Sequence, residues 1–314
     1  MRLKGRHGGE KGKAMQENFV TLDVFTSQTF GGNPLAVIPD ARRLTTEQMQ
    51  AIAAEFNYSE STFVLPPEDP SNTAKVRIFD PLHEMPFAGH PNVGTAVALA
   101  RAGEVFGKPI GAKVRFEEKV GLVDIDILRQ NGIAVGARFT APGAAEFGPM
   151  SEEEVIADVA GLDIAQLHGA RHLPQLVTLG IGFVFAEVAD VVALGRCSPR
   201  LEAFKTHLPM ETTDGLYLYA RTGQGPGIQI RSRMFAPMHG IVEDPATGSA
   251  AAMLGALLGK MEPGGNDLLV KVDQGVEMGR SSRIDVGVRR SADRVEAVTV
   301  GGNAVLVMRG TISV

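Results

Sequence analysis

Cysteine is almost missing from this sequence: Cys197 is the single one in 314 residues. No intrachain disulfide is possible, a cysteine-based structural zinc site is excluded, and a reducing cytoplasm is the expected setting. No apolar run approaches the roughly 18 residues of a membrane span. Positive charge is not in excess, with Lys+Arg 31 against Asp+Glu 36 and a net charge of −5. That argues against nucleic acid or an anionic membrane as partner. Residues 1–14 are basic but lack the apolar core that a signal peptide needs. They are expected to be a disordered tail or an over-long start before Met15, with a nucleic-acid-binding arm as the minor alternative.

Familiar cofactor and hydrolase motifs are missing too. No G-x-G-x-x-G opens a βαβ unit, and no Lys-Ser/Thr follows Gly31-Gly32-Asn33 to make a phosphate loop. No G-x-S-x-G supports a serine hydrolase. No helical stretch sets two histidines one turn apart, so no metal motif is found.

The composition, 44% hydrophobic and 21% charged, is that of a globular chain. The length suits two domains of about 130–150 residues, expected at 15–140 and 150–314, with the last strands able to return to the N-terminal domain. Ala141 to Pro149 reads as the linker, and Ser151 with Glu154 as a capping box opening a helix. Thr45 reads as the N-cap of a helix over residues 46–55. Most other segments alternate like strands, and the tail from Leu268 is strand-rich.

The chain also repeats itself. His90-Pro91-Asn92-Val93-Gly94-Thr95 lines up with Asp244-Pro245-Ala246-Thr247-Gly248-Ser249. Glu60 precedes His90 by the same interval as Asp214 precedes Asp244, and Phe79 to His83 is echoed by Phe235 to His239. Each motif leads into a helix with almost no charge on any face, and such a helix must be buried all round. An α+β fold is predicted, each half a sheet curled around one central apolar helix, with an active site in the cleft between halves. The buried helix starts leave N–H groups that an anionic ligand can satisfy.

Asp244 has two readings, a side chain that caps the second helix or an acid/base group. His90 caps a helix poorly and suits proton handling. Glu60, between a helix and a strand, reads first as a solvated surface carboxylate. His83, Glu84 and His239 read first as surface residues, and Cys197 as structural or incidental. Gly89 and Gly248 are either turn glycines or places where substrate nears the backbone.

The blocks Gly31–Val37, Ser59–Val64, Pro86–Pro91, Arg231–Pro237 and Gly240–Ala250 resemble the PhzF family of phenazine-biosynthesis isomerases, which share the diaminopimelate-epimerase fold. The resemblance implies two similar domains with the active site between them, and no metal or organic cofactor. It implies Glu60 as the principal acid/base, moving a proton between carbons of a substrate like trans-2,3-dihydro-3-hydroxyanthranilate. His90 and Asp244 match residues that bind substrate and assist, and Gly89, Gly248 and Ser249 match positions near its carboxylate. Asn92 stands where the family more often has Thr. A homodimer is the family expectation. The alternatives are an epimerase of a small carboxylate, or a binding protein without turnover.

Overall fold

The computed structural model describes residues 15–209, 211–223, 225–291 and 294–314. The expected tail at 1–14 lies outside the described residues. In the first half, β1 (Gln16–Val24) and β2 (Asn33–Ile38) lead to α1 (Thr46–Phe56), β3 (Glu60–Leu65), β4 (Ala74–Phe79), β5 (Glu84–Met85) and α2 (Gly89–Ala102). A short hairpin, β6 (Glu104–Val105) with β7 (Lys108–Pro109), precedes β8 (Lys113–Glu118), β9 (Gly121–Gln130) and β10 (Ile133–Thr140). The second half begins with β11 (Glu146–Met150), α3 (Glu153–Ala160), β12 (Gln175–Leu179) and β13 (Ile181–Glu187). It continues through α4 (Val191–Arg196), α5 (Leu201–His207), β14 (Gly215–Arg221), β15 (Ile228–Ala236), β16 (Ile241–Asp244) and α6 (Gly248–Met261). The close is β17 (Leu268–Gln274), β18 (Ser282–Ser291) and β19 (Arg294–Ser313).

The fold is α+β, and its halves share one pairing scheme. β2 runs parallel to β3 and β13 parallel to β14, while β3 and β14 each meet the next strand antiparallel. β4 then pairs parallel with β8, and β15 with β17. β19 joins the halves. Its first part lies against β18 and β10, and its second part against β1.

Each curled sheet wraps a central helix. In α6 every residue from Gly248 to Gly259 is buried, and α2 is buried along most of its length. Small residues are required there: a Cβ on Gly94 would stand 2.5 Å from Leu35 Cδ2, and one on Gly255 2.6 Å from Val286 Cγ1. The Val, Leu and Ile side chains around these helices contribute about 1.5–3 kcal/mol each through burial, which holds both helices in place.

Two local expectations fail. The 141–149 linker is partly strand, since β11 pairs with β12. Ser151 does not cap α3: Glu152 is the N-cap, without a side-chain hydrogen bond. The Ser151 amide instead donates to the Pro174 carbonyl at 2.8 Å, so sheet pairing takes the residue that would have opened the helix. Thr45 caps α1 as expected, in a reciprocal box with Gln48.

Candidate active site

The local sequence brings Glu60 to the cleft in two steps. Asn57 ends α1 in the left-handed region (φ 52°), a conformation Asn tolerates. The chain then turns through Tyr58 and Ser59 into β3, of which Glu60 is the first residue, opposite Leu35 of β2. Glu60, His90, Asp244, Gly89, Gly248 and Ser249 all line one cavity of about 630 Å³ between the halves. Asp80, His83, Asp214 and His239 line it as well, and no Lys or Arg does so among the described residues.

The repeat, however, has a different register from the one the sequence suggested. α2 begins at Gly89 and α6 at Gly248, each preceded by Pro-x-x: Pro86-Phe87-Ala88 and Pro245-Ala246-Thr247. Gly89 therefore matches Gly248, and His90 matches Ser249. Asp244 ends β16 as Met85 ends β5. The picture of His90 and Asp244 as twin helix-start residues is corrected. His90 lies inside the first turn of α2, and Asp244 comes before the loop that enters α6.

The two helices meet start to start. A Cβ on Gly89 would lie 2.9 Å from Gly248 Cα and 3.0 Å from the Ser249 amide nitrogen. Neither start has a side-chain cap: the N-cap of α2 is Ala88, and Thr247 makes no capping bond to α6. Thr247 Oγ1 is diverted, donating to Asp244 Oδ2 at 2.6 Å. First-turn amides from both helices, with the positive ends of both dipoles, thus converge on the cavity wall.

Asp244 is also held from the other half. Asn33 Nδ2 donates to Oδ1 at 2.9 Å and Ser59 Oγ donates to the same oxygen at 3.0 Å. Gln274 Nε2 fixes the loop by donating to the Asp244 carbonyl at 2.8 Å and to Thr247 Oγ1 at 2.9 Å. Burial pushes the Asp244 carboxyl up, and the donors Thr247, Ser59, Asn33 and the Ala246 amide work against that by favouring the anion. Asn33, Ser59 and Gln274 were not singled out as site residues. Asn33 and Ser59 stand inside the Gly31–Val37 and Ser59–Val64 blocks, so a signal existed for them; Gln274 had none.

Glu60 is the contrasting carboxyl. Its Oε2 lies 3.5 Å from His90 Nδ1, yet Oε2 and His90 Nε2 are both buried without a hydrogen-bond partner. Burial raises Glu60 well above the ordinary glutamate value, reinforced by the negative charges of Asp244 and Asp80. Burial also lowers His90 to about 3, against a smaller opposing effect from the Pro34 main chain. Both shifts disfavour charge, so a neutral imidazole stands beside a carboxyl that keeps its proton unusually well. The two carboxyls differ in kind: Asp244 is fully engaged by donors, and Glu60 faces the cavity uncommitted.

Elsewhere the surface reading of Glu84 needs revision, while that of His83 holds. Glu84 is mostly buried and receives both Arg77 Nε at 2.7 Å and Arg77 Nη2 at 2.8 Å. Cys197 is buried and its thiol is pushed up to about 12 by that burial, so it carries no nucleophilic chemistry.

The profile of phenazine biosynthesis-like proteins (PhzC-PhzF) matches residues 22–310. The chain belongs to that family. A trans-2,3-dihydro-3-hydroxyanthranilate isomerase of Pseudomonas fluorescens is 35% identical, over 94% of this chain and 99% of the relative. An isomerase of Mesorhizobium japonicum is 36% identical, over 94% and 98%. Among solved structures, a Bacillus anthracis phenazine biosynthesis protein of the PhzF family superposes with a TM-score of 0.85 at 26% identity, covering 96% of this chain and 100% of that one. A hydroxyproline epimerase from Agrobacterium vitis shares the fold, with a TM-score of 0.62 at 13% identity over 95% and 93%. This PhzF-family member is an isomerase. Among its described residues no helix is long and apolar enough to cross a membrane.

Proposed function

We propose that this isomerase moves a proton between carbons of a small cyclic or unsaturated carboxylate of the trans-2,3-dihydro-3-hydroxyanthranilate type, without a cofactor, using Glu60 as its acid/base. The observation that carries this reading is the Glu60 carboxyl, which lines the cavity with its Oε2 buried, unpartnered and 3.5 Å from His90 Nδ1. The substrate carboxylate sits on the amides at the starts of α2 and α6, at Gly89, Gly248 and Ser249. His90 and Asp244 hold the ring above it.

Ionised Glu60 takes a proton from one carbon. The electron pair of the broken C–H bond spreads through the adjacent double bond toward the bound carboxylate, where the helix amides stabilise the charge. Protonated Glu60 then gives the same proton to a second carbon, and the double bond shifts. Its raised pKa serves both steps, because a carboxylate that is hard to ionise is a stronger base. A homodimer in the cytoplasm completes the reading, supported by the family resemblance and the single cysteine.

Proton NMR in D₂O with trans-2,3-dihydro-3-hydroxyanthranilate tests it. Wild type should convert the compound with a defined deuterium pattern at carbon, and Glu60→Gln should not. Conversion by Glu60→Gln at the wild-type rate would remove Glu60 from the mechanism.

A further inference from the structure

In the cavity that Glu60 lines, the second half carries a carboxylate–imidazole pair that the reaction above leaves unused. Asp214 immediately precedes β14, as Glu60 opens β3, and both strands hold the same place in their half: parallel to the strand before, antiparallel to the strand after. One Asp214 oxygen is fixed by the main chain, with the Gly182 amide donating to Oδ2 at 2.6 Å. That leaves Oδ1, which lies 3.6 Å from His239 Nε2. His239 closes a one-turn helix over Pro237–His239, and Gly240 (φ 78°) then reverses the chain. Its Nε2 is buried and without a hydrogen-bond partner.

The first half shows the matching arrangement, Glu60 with His90 at 3.5 Å and His90 Nε2 unpartnered. All four residues line the one cavity. A cleft between two related halves therefore presents a carboxylate and an imidazole on each wall. Among the described residues lining the cavity, the other His–Asp pair, His83 with Asp80 at 3.1 Å, is a weaker candidate because the His83 side chain is 59% exposed. The His239 side chain is 25% exposed.

We propose that Asp214 and His239 form a second acid/base pair, which delivers a proton to the face of the substrate opposite the one Glu60 attacks. The proposal rests on Glu60 being the base that removes the proton. Glu60 takes a proton from carbon, and the C–H electrons enter the conjugated carboxylate system. The N–H of a protonated His239, oriented by Asp214, gives its proton to the opposite face. A new C–H bond forms and a neutral imidazole remains. The carboxyl proton on Glu60 passes to solvent, and His239 takes one back from solvent, so atoms and charge balance over a turnover. This pair gives the chain the means to invert a carbon centre as well as to shift a double bond.

The experiment has two arms on the full-length protein. In the first, histidine ¹⁵N signals are followed as 3-hydroxyanthranilate, a planar carboxylate, is added. Movement of both His90 and His239 is expected. Movement of His90 alone overturns the proposal while leaving the Glu60 reading intact, and movement of neither counts against both.

In the second arm, trans-2,3-dihydro-3-hydroxyanthranilate is supplied in D₂O to wild type, His239→Gln, Asp214→Asn and Glu60→Gln. Loss of a general acid should cut deuterium delivery to the opposite face by His239→Gln about 100-fold, while the double-bond shift carried by Glu60 alone falls far less. Asp214→Asn keeps an acceptor for the Gly182 amide, and should lie between His239→Gln and wild type. Glu60→Gln should lose exchange and conversion together. Wild-type deuterium delivery to the opposite face by His239→Gln overturns the proposal, and wild-type exchange by Glu60→Gln overturns the reading beneath it. If wild type does not turn the compound over, the first arm decides.

Discussion

Asn33 and Asp244, 211 residues apart in sequence, share a hydrogen bond of 2.9 Å across the cleft. The Asn33 amide also donates to the Ala246 carbonyl at 3.0 Å, so one side chain of the first half holds both the carboxylate and the loop entering α6. Truncation of Asp244 leaves Ser59 and Thr247 without this acceptor and Asn33 with the Ala246 carbonyl alone. Asp244→Ala is therefore expected to lower stability by about 1–3 kcal/mol, the cost of stranding buried donors, rather than through loss of a helix cap. Asn33→Ala should cost a similar amount. Urea unfolding of each single variant and the double variant checks this: because the residues share a bond, the double loss should fall short of the sum. Strict additivity would mean that the bond does not couple the halves.

Gly89 and Gly248 make the second testable contact. A Cβ on Gly89 would come within 2.9 Å of backbone, which has no flexible end to move aside. Gly89→Ala should push the starts of α2 and α6 apart, cost about 1–3 kcal/mol through overpacking, and reduce affinity for a small carboxylate such as 3-hydroxyanthranilate. Gly248→Ala, with its nearest contacts at 3.2 Å, should be milder in both respects. Calorimetric titration with that compound ranks the two. Equal affinity in wild type and Gly89→Ala would separate the helix starts from carboxylate binding.

Much of the architecture is legible in the sequence. The helices α2 and α6 carry so little charge that only a wrapped sheet accommodates them, and the strand alternation around them was readable in most segments. The register of the repeat was not. The first half contains two Pro-x-x-Gly units in succession, Pro86-Phe87-Ala88-Gly89 and Pro91-Asn92-Val93-Gly94. Proline is tolerated both just before a helix and in its first turn, so local chemistry does not choose between them. Sheet pairing chooses, since β5 ends at Met85 and α2 must begin soon after. Gln274 was hidden for a related reason: it reaches Asp244 from the end of β17, and no local pattern marks such a partner.

The pH dependence of turnover follows from Glu60. A base must be ionised to accept a proton, so kcat/KM should rise with pH through the raised Glu60 value and not near the ordinary one. Asp244 is the leading charge that raises it, after burial itself. Asp244→Asn removes that charge and should move the rising limb to lower pH, even as it lowers the maximum rate. Asp80→Asn should shift it less, as the smaller contributor. A limb unmoved by Asp244→Asn would show that the titrating group is not Glu60.

Glu118 supplies a stability signature of its own. It ends β8 beside Asn92, whose Nδ2 donates to the Ala88 carbonyl at 3.1 Å just before α2 starts. Both Glu118 carboxyl oxygens are buried without a partner. Burial pushes the carboxyl up to about 8, with the Asn92 contact opposing. The folded protein thus holds this proton more tightly than the unfolded chain does. The contribution is complete below the ordinary glutamate value and is lost as pH rises from there to about 8, with no further loss above it. Glu118→Gln keeps the shape and cannot ionise, so it should escape that loss. From pH 5 to pH 9 wild type is expected to lose stability relative to the variant by on the order of 4 kcal/mol, at about 1.4 kcal/mol per unit up to about 8. Urea unfolding at pH 5, 7 and 9 measures it. Parallel curves for the two proteins would mean that Glu118 is ionised and solvated in the folded state, and that the start of α2 is held without it.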